Sequence, residues 1–233
     1  MNYSIIKDEE RLRKFIDWLP ELSISECYMI LLFARKKYCP DMELRCGHQN
    51  MKRVTCNNKN LIIRKIKQME VPIGSYMDME KSIPQESLAL YITPNPRCMI
   101  KASKNLLKKL ADTVTSNYDG YNPQNLALTE IHRAKSRSYY IDFDFDYDVS
   151  SVLNLEHWRK SIINMVYFNV NKDATSFIAT KGGLHVLVRP DLVEDQYKKS
   201  FYKNIQSFGA DVVGDNMIPV PGCCQGSFSP YFL

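Results

Sequence analysis

The segment Ser138-Tyr-Tyr-Ile-Asp-Phe-Asp-Phe-Asp-Tyr-Asp148 limits the fold more than any other part of the chain. Strand side chains alternate between faces, so Asp142, Asp144, Asp146 and Asp148 project to one side and Ile141, Phe143, Phe145 and Tyr147 to the other. One face can join a core; the other is a row of carboxylates. Carboxylates at i and i+2 stand about 6–7 Å apart at Cα, so their repulsion has to be screened by water or by cations. Mg²⁺ and Mn²⁺, hard ions that take oxygen ligands, are the natural partners. Asp142 and Asp144, nearest the strand's interior, are the expected catalytic metal ligands. Asp146 and Asp148 are expected at its wet end. The competing reading is an edge strand whose acidic face blocks edge-to-edge pairing.

About 40 residues on comes Phe177-Ile-Ala-Thr-Lys-Gly-Gly-Leu-His-Val-Leu-Val-Arg-Pro190. Gly182 and Gly183 leave a backbone that phosphate oxygens can approach, Lys181 after Thr180 adds a positive charge, and His185 opens an apolar strand. A histidine before apolar residues is also a common hydrogen-bonded structural residue, and only the acidic strand favours the functional reading.

Taken together, the two elements resemble the archaeo-eukaryotic primase superfamily of replicative primase small subunits, plasmid primase-polymerases and end-joining polymerase domains. The D-h-D motif is matched by Ile141-Asp142-Phe143-Asp144, and the G-h-H turn by Gly183-Leu184-His185. The third motif, an Asp after a helix followed by Pro-Gly, is matched by Ala210-Asp211 with Pro221-Gly222. The likeness covers residues 86 to 226. It implies an RRM-like, mostly antiparallel catalytic sheet, two metal ions held by Asp142, Asp144 and Asp211 (or Asp215 in its place), and His185 on the incoming nucleotide's phosphates. Thr180, Lys181, Gly182 and Gly183 complete the implied nucleotide site. The implied activity is template-directed nucleotidyl transfer, with nucleic-acid template and primer and nucleoside triphosphates as partners, and a helicase or other replication domain as a further one.

The rest of the chain predicts an α+β fold. Residues 7–19 place Leu12, Ile16 and Leu19 on one helical face before Pro20, and Ser23 reads as the cap of a second helix reaching Tyr38. The segment 60–70 suits helix or strand. From residue 86 the pattern predicts a strand over 87–93, a basic helix capped by Ser103, and a helix over 125–134. The acidic strand over 138–147 and a helix over 156–169 follow, then a hairpin of 175–179 with 185–188, and a helix from a capping box at Asp191 and Glu194 to Phe208. This gives a basic, largely helical part, 1–85, and a catalytic core, 86–233.

Charge divides unevenly. Residues 1–140 carry 23 Lys and Arg against 15 Asp and Glu, or +8, and the remainder carries 8 against 11, or −3. A basic part that grips polyanionic backbone and an acidic part that binds cations fit that division. Arg97, Lys104, Lys108, Lys109, Arg133, Lys135 and Arg137 are the candidate nucleic-acid contacts, with a solvated helix face as the alternative for the lysines. Cys39, Cys46, His48 and Cys56 are zinc-ligand types, but C-x6-C-x-H-x7-C contains no C-x-x-C knuckle, and scattered reduced thiols are expected instead of Zn²⁺. No apolar run approaches the roughly 20 residues that span a bilayer, and the N-terminus has no signal-peptide pattern, so a soluble, cytoplasmic protein is expected. Two rivals remain: a metal-dependent nuclease or phosphodiesterase, since clustered Asp with His also suits two-metal hydrolysis, and a non-catalytic nucleic-acid-binding module.

Overall fold

The structure is a computed structural model and describes residues 1–44, 46–114, 122–148 and 154–233. Its first helix follows local rules closely. α1 (Glu9–Trp18) starts at Asp8, whose carboxylate accepts from the Arg11 amide at 3.0 Å, and it buries Leu12, Phe15 and Ile16.

The next segment corrects the expected helix over 23–38. β1 (Glu26–Arg35) is a strand flanked on both sides, and its apolar run is covered on both faces, a pattern that periodicity cannot separate from a buried helix. The N-terminal part is therefore not largely helical. β2 (His48–Cys56) pairs antiparallel with β1, with a shift of register between Leu32 and Phe33. α2 (Ile62–Lys67) settles the ambiguous 60–70 segment as helix, and β3 (Met77–Asp78) with β4 (Lys81–Ser82) makes a small ribbon. β5 (Leu88–Ile92) pairs β1 on its other side, and β6 (Arg97–Cys98) pairs the start of β1. β1 and β5 thus share one sheet across the expected division at residue 85. α3 (Met99–Val114) begins four residues before Ser103, which lies inside it, and α4 (Pro123–Arg133) is capped by Asn122.

A second sheet follows in the order strand, helix, strand, strand, helix, strand. β7 (Ile141–Asp146), α5 (Leu155–Tyr167), β8 (Thr175–Thr180), β9 (Gly183–Val188), α6 (Phe201–Gln206) and β10 (Val212–Gly214) give the strand order β10-β7-β9-β8, every neighbour antiparallel. The acidic strand and the hairpin are where the pattern predicts them. The helix expected from Asp191 to Phe208 is confined to α6, because the Glu194 amide donates to Asn171 Oδ1 and Asn171 Nδ2 to the Leu192 carbonyl, which draws that stretch onto the turn before β8. The chain then crosses back: β11 (Ile218–Pro219) pairs β5 in the first sheet, and β12 (Tyr231–Phe232) extends the second sheet beyond β8. The fold is α+β with antiparallel sheets, and none of the six helices of the described residues is long and apolar enough to cross a membrane.

Phe143 and Phe145 enter a core with Ile162, Val166, Phe177 and Val186. The opposite face of the second sheet meets the first unit, whose core takes in Ile178 and Leu187. Trp18 joins the two by stacking on Tyr140, centroids 4.3 Å apart, and donating to Ser176 Oγ at 3.1 Å. β7 lies between β10 and β9, so its carboxylate row is not edge protection.

Candidate active site

Antiparallel register decides what the carboxylates face. Asp142, Asp144 and Asp146 stand opposite Leu187, His185 and Gly183 of β9, so the three acids and the histidine share one side of the sheet. At the end of that side is a cleft of about 390 Å³. It is lined by Asp144, Asp146 and His185 of the second sheet, by Asp215 from the crossing after β10, and by Phe33, Arg35, Lys37, His48 and Tyr91 from the first sheet and the turn after β1. Phe33, Arg35, His48 and Tyr91 share a face because Arg35 pairs His48 and Leu31 pairs Tyr91.

Asp142 is fully buried. Both of its carboxylate oxygens lie 3.0 Å from His185 Nδ1, and Asn216 Nδ2 donates to one of them at 3.1 Å. His185 Nε2 is 3.4 Å from Asp144 Oδ1, so the ring spans the two acids of the D-h-D motif. Burial alone would hold the imidazole neutral, but the charge and hydrogen bond of Asp142, with Asp144 and Asp146 behind it, raise its pKa to about 9. At neutral pH it is an imidazolium, with Nδ1–H donating to Asp142. Burial raises the Asp144 pKa, against the pull of His185, and the charges of Asp142 and Asp146 push it the same way as burial.

The third motif is distributed over two places. Asp211 is exposed at the head of β10, where its Oδ2 accepts from the Asp146 amide at 2.9 Å and its own amide donates to the Asp144 carbonyl at 2.8 Å. It is not among the residues lining the cleft. Asp215 is, on the crossing between sheets, and it is held by the buried Arg97 and by Asn95 Nδ2 at 2.8 Å. Pro221-Gly222 lies apart from the cleft, where the Gly222 carbonyl accepts from the amides of Lys7 and Asp8 before α1.

Gly183 is required by packing. A Cβ there would stand 2.0 Å from the Phe145 carbonyl oxygen, whereas Gly182 is exposed and has open space. Arg159 of α5, almost fully buried, fixes this turn by donating to the carbonyls of Gly183 (3.2 Å) and Thr180 while pairing with Glu156. Thr180 is itself buried but lines the cleft, and the Lys181 amide donates to Gln225 Oε1 at 2.7 Å.

Several expected nucleic-acid contacts have other work. Arg97 is committed to Asp215, Arg137 to buried Glu26 (2.5 Å), and Lys109 to buried Glu130, which Arg133 approaches at 3.9 Å. Lys135 bridges Arg97 through its backbone. Lys104 and Lys108 are exposed on α3 beside Lys101, Ile100 and Leu107, away from the cleft. Arg35, Lys37, Tyr91, Asn216 and Gln225 were not expected from sequence; the only signal for the first two is the run Arg35-Lys36-Lys37, hidden by reading that segment as helix.

Carboxylate oxygens of Asp144, Asp146 and Asp215 in the lining suit a hard divalent ion in kind. As the side chains stand, no three His, Cys, Asp or Glu groups among the described residues converge on a metal position, the acidic row and the Cys39, Cys46, His48, Cys56 set included. Asp142 is turned to His185 and Asp215 to Arg97, so a bound ion draws first on Asp144 and Asp146. Comparison of the chain with protein-family models finds no match, and comparisons with curated proteins and with solved structures find none either.

Proposed function

We propose that the chain is a metal-dependent, template-directed nucleotidyltransferase of the primase or primase-polymerase kind, which joins nucleotides by in-line attack of a 3′-hydroxyl on an α-phosphate. The observation that carries this reading is the two-signed cleft, which is lined by Asp144, Asp146 and Asp215 together with Arg35 and Lys37. The β10-β7-β9-β8 order supports an RRM-like sheet, and the direct pairing of Asp144 with His185 puts the D-h-D and G-h-H motifs side by side.

Mg²⁺ or Mn²⁺, as one ion or two, held by Asp144 with Asp146 or a freed Asp215, would stabilise charge on the attacking and leaving oxygens. The protein's own residues supply position and charge. Asp142 is a positioning residue: it fixes the His185 ring and keeps it cationic. His185 in turn steadies Asp144 and offers Nε2–H to a phosphate oxygen at the cleft. Arg159 and Gly183 hold the hairpin turn against β7, which sets the height of His185 over the acids. α3 packs on α4, whose His132 lines the cleft, and the exposed Arg133, Lys104 and Lys108 of these two helices are the candidates for contact with template or primer backbone beyond it.

Labelled nucleotide, a primed template and Mn²⁺ test the reading. Incorporation is the expected result. Release of nucleotide from the strand assigns hydrolysis instead, and salt-sensitive binding that survives chelation without either reaction assigns a non-catalytic binding module.

A further inference from the structure

Tyr38 is ringed by cations. Its ring centre lies 5.9 Å from the Arg35 guanidinium carbon, 5.5 Å from Lys37 Nζ and 5.1 Å from Lys181 Nζ. Arg35 and Lys37 come from β1 and the turn after it, and Lys181 from the β8–β9 turn of the other sheet, so the fold brings them together. Three other arginines with buried or half-buried side chains are neutralised, Arg97 by Asp215, Arg159 by Glu156 and Arg189 by Asp191, whereas half-buried Arg53, like Arg35, has no ion pair among the described residues. Arg35 donates instead to the Tyr91 hydroxyl at 2.5 Å, and among the described residues no ion pair includes Arg35, Lys37 or Lys181. Asp146 acts on Arg35 and Asp144 feels Lys37 only from beyond ion-pair distance, and ring contacts offset only part of the repulsion within the set, which leaves it short of a directly bound anion.

The cluster is built into the fold. Gln225, only 4% exposed, accepts from the Lys181 amide, and the Tyr38 hydroxyl lies 3.4 Å from that of Tyr91. Gly226, at φ 66°, lies under both residues; a Cβ there would stand 3.1 Å from Tyr38 Cβ and 3.2 Å from Lys181 Nζ. Arg35 and Lys37 line the cleft together with Asp144 and Asp146, and Lys181 sits between Thr180 and Gly182, which also line it.

We propose that Arg35, Lys37 and Lys181 form a polyphosphate subsite that takes the β- and γ-phosphates of a nucleoside triphosphate whose α-phosphate lies toward Asp144. The planar guanidinium suits paired phosphate oxygens, and the two ammonium groups act as point charges beside it. The identity of the ligand rests on the nucleotidyl-transfer reading; the anion site does not.

Calorimetric titration of the full chain with sodium tripolyphosphate in metal-free buffer measures the site without catalysis. The native chain should bind, and Lys37→Gln with Lys181→Gln should weaken binding by about tenfold or more while the melting temperature does not fall. The same double variant should raise KM for nucleotide in the incorporation assay. A native chain that does not bind tripolyphosphate, or a double variant that binds it equally well, overturns the subsite, and the transfer reading stands if the native chain still incorporates nucleotide. Binding lost in the double variant of a chain that transfers nothing supports the subsite and removes the transfer reading. Displacement of tripolyphosphate by an equimolar single-stranded oligonucleotide lacking a 5′-triphosphate would overturn the assignment to the incoming nucleotide.

Discussion

Gly183→Ala is expected to destabilise the protein strongly, and Gly182→Ala, one residue away in the same turn, hardly at all. The added Cβ at Gly183 would meet the Phe145 carbonyl oxygen at 2.0 Å, its carbonyl carbon at 3.0 Å and Asp146 Cα at 3.2 Å. All three are backbone atoms of β7, which is paired on both sides and has no side chain to rotate away. The start of β9 has to lift off β7, at a cost of about 3 kcal/mol, the upper part of the usual range for overpacking. For a chain of this size that lowers Tm by about 6–12 °C. At Gly182 no heavy atom lies within 4 Å of the new methyl, so the change should stay within about 0.5 kcal/mol. Paired thermal melts of the two variants against the native protein read the difference. A Gly183→Ala protein that melts within a degree or two of native, or a Gly182→Ala protein that falls as far, would refute the packing of β9 on β7 that sets His185 beside Asp144.

Two further outcomes are expected. His185 has a folded pKa of about 9 against an ordinary 6.5, so its pairing with Asp142 contributes fully below about pH 6.5 and is lost as pH rises through about 9. Asp144, also raised, acts in the same direction over the acid range. Urea unfolding in metal-free buffer should therefore show a loss of stability of about 3 kcal/mol over that window in the native protein and a clearly smaller loss in His185→Gln, which leaves the raised thiols of Cys27 and Cys224 as the common background; equal losses would contradict the ion pair. For nucleic acid, log affinity should fall with log salt by roughly 0.7 to 0.9 per neutralised phosphate, and Lys104→Gln with Lys108→Gln should make the slope shallower while Lys109→Gln, whose cation already pairs with Glu130, should change it little. An unchanged slope in the double variant would remove α3 from the binding surface.

The second sheet was legible because its patterns are local. Alternation on β7, the paired glycines between β8 and β9, and the helical spacing of α5 each name an element from a few neighbouring residues. β1 was not, since Tyr28-Met-Ile-Leu-Leu-Phe-Ala34 is apolar on both faces and its partners, β2 and β5, lie far along the chain. That misreading hid the cationic lining, because Arg35 and Lys37 acquire their place only when β1 is a strand. It also explains why Arg97 and Arg137 read as free cations: their carboxylate partners, Asp215 and Glu26, are more than a hundred residues away. The choice between Asp211 and Asp215 turned on the same kind of information. Asp211 follows a helix, as the motif implies, but the crossing from β10 to β11 is what carries Asp215 into the cleft.

The most direct measurement is nucleotide incorporation on a primed template with Mn²⁺ by four forms of the full chain: native, Asp144→Asn, Asp146→Asn and Asp211→Asn. With Asp144 and Asp146 lining the cleft and Asp211 outside it, the first two variants should lose about a hundredfold or more in kcat while remaining folded by thermal melt, and Asp211→Asn should stay within a few-fold of native. Near-native incorporation by Asp144→Asn would contradict the account, because the transfer would then be taking place somewhere other than this cleft.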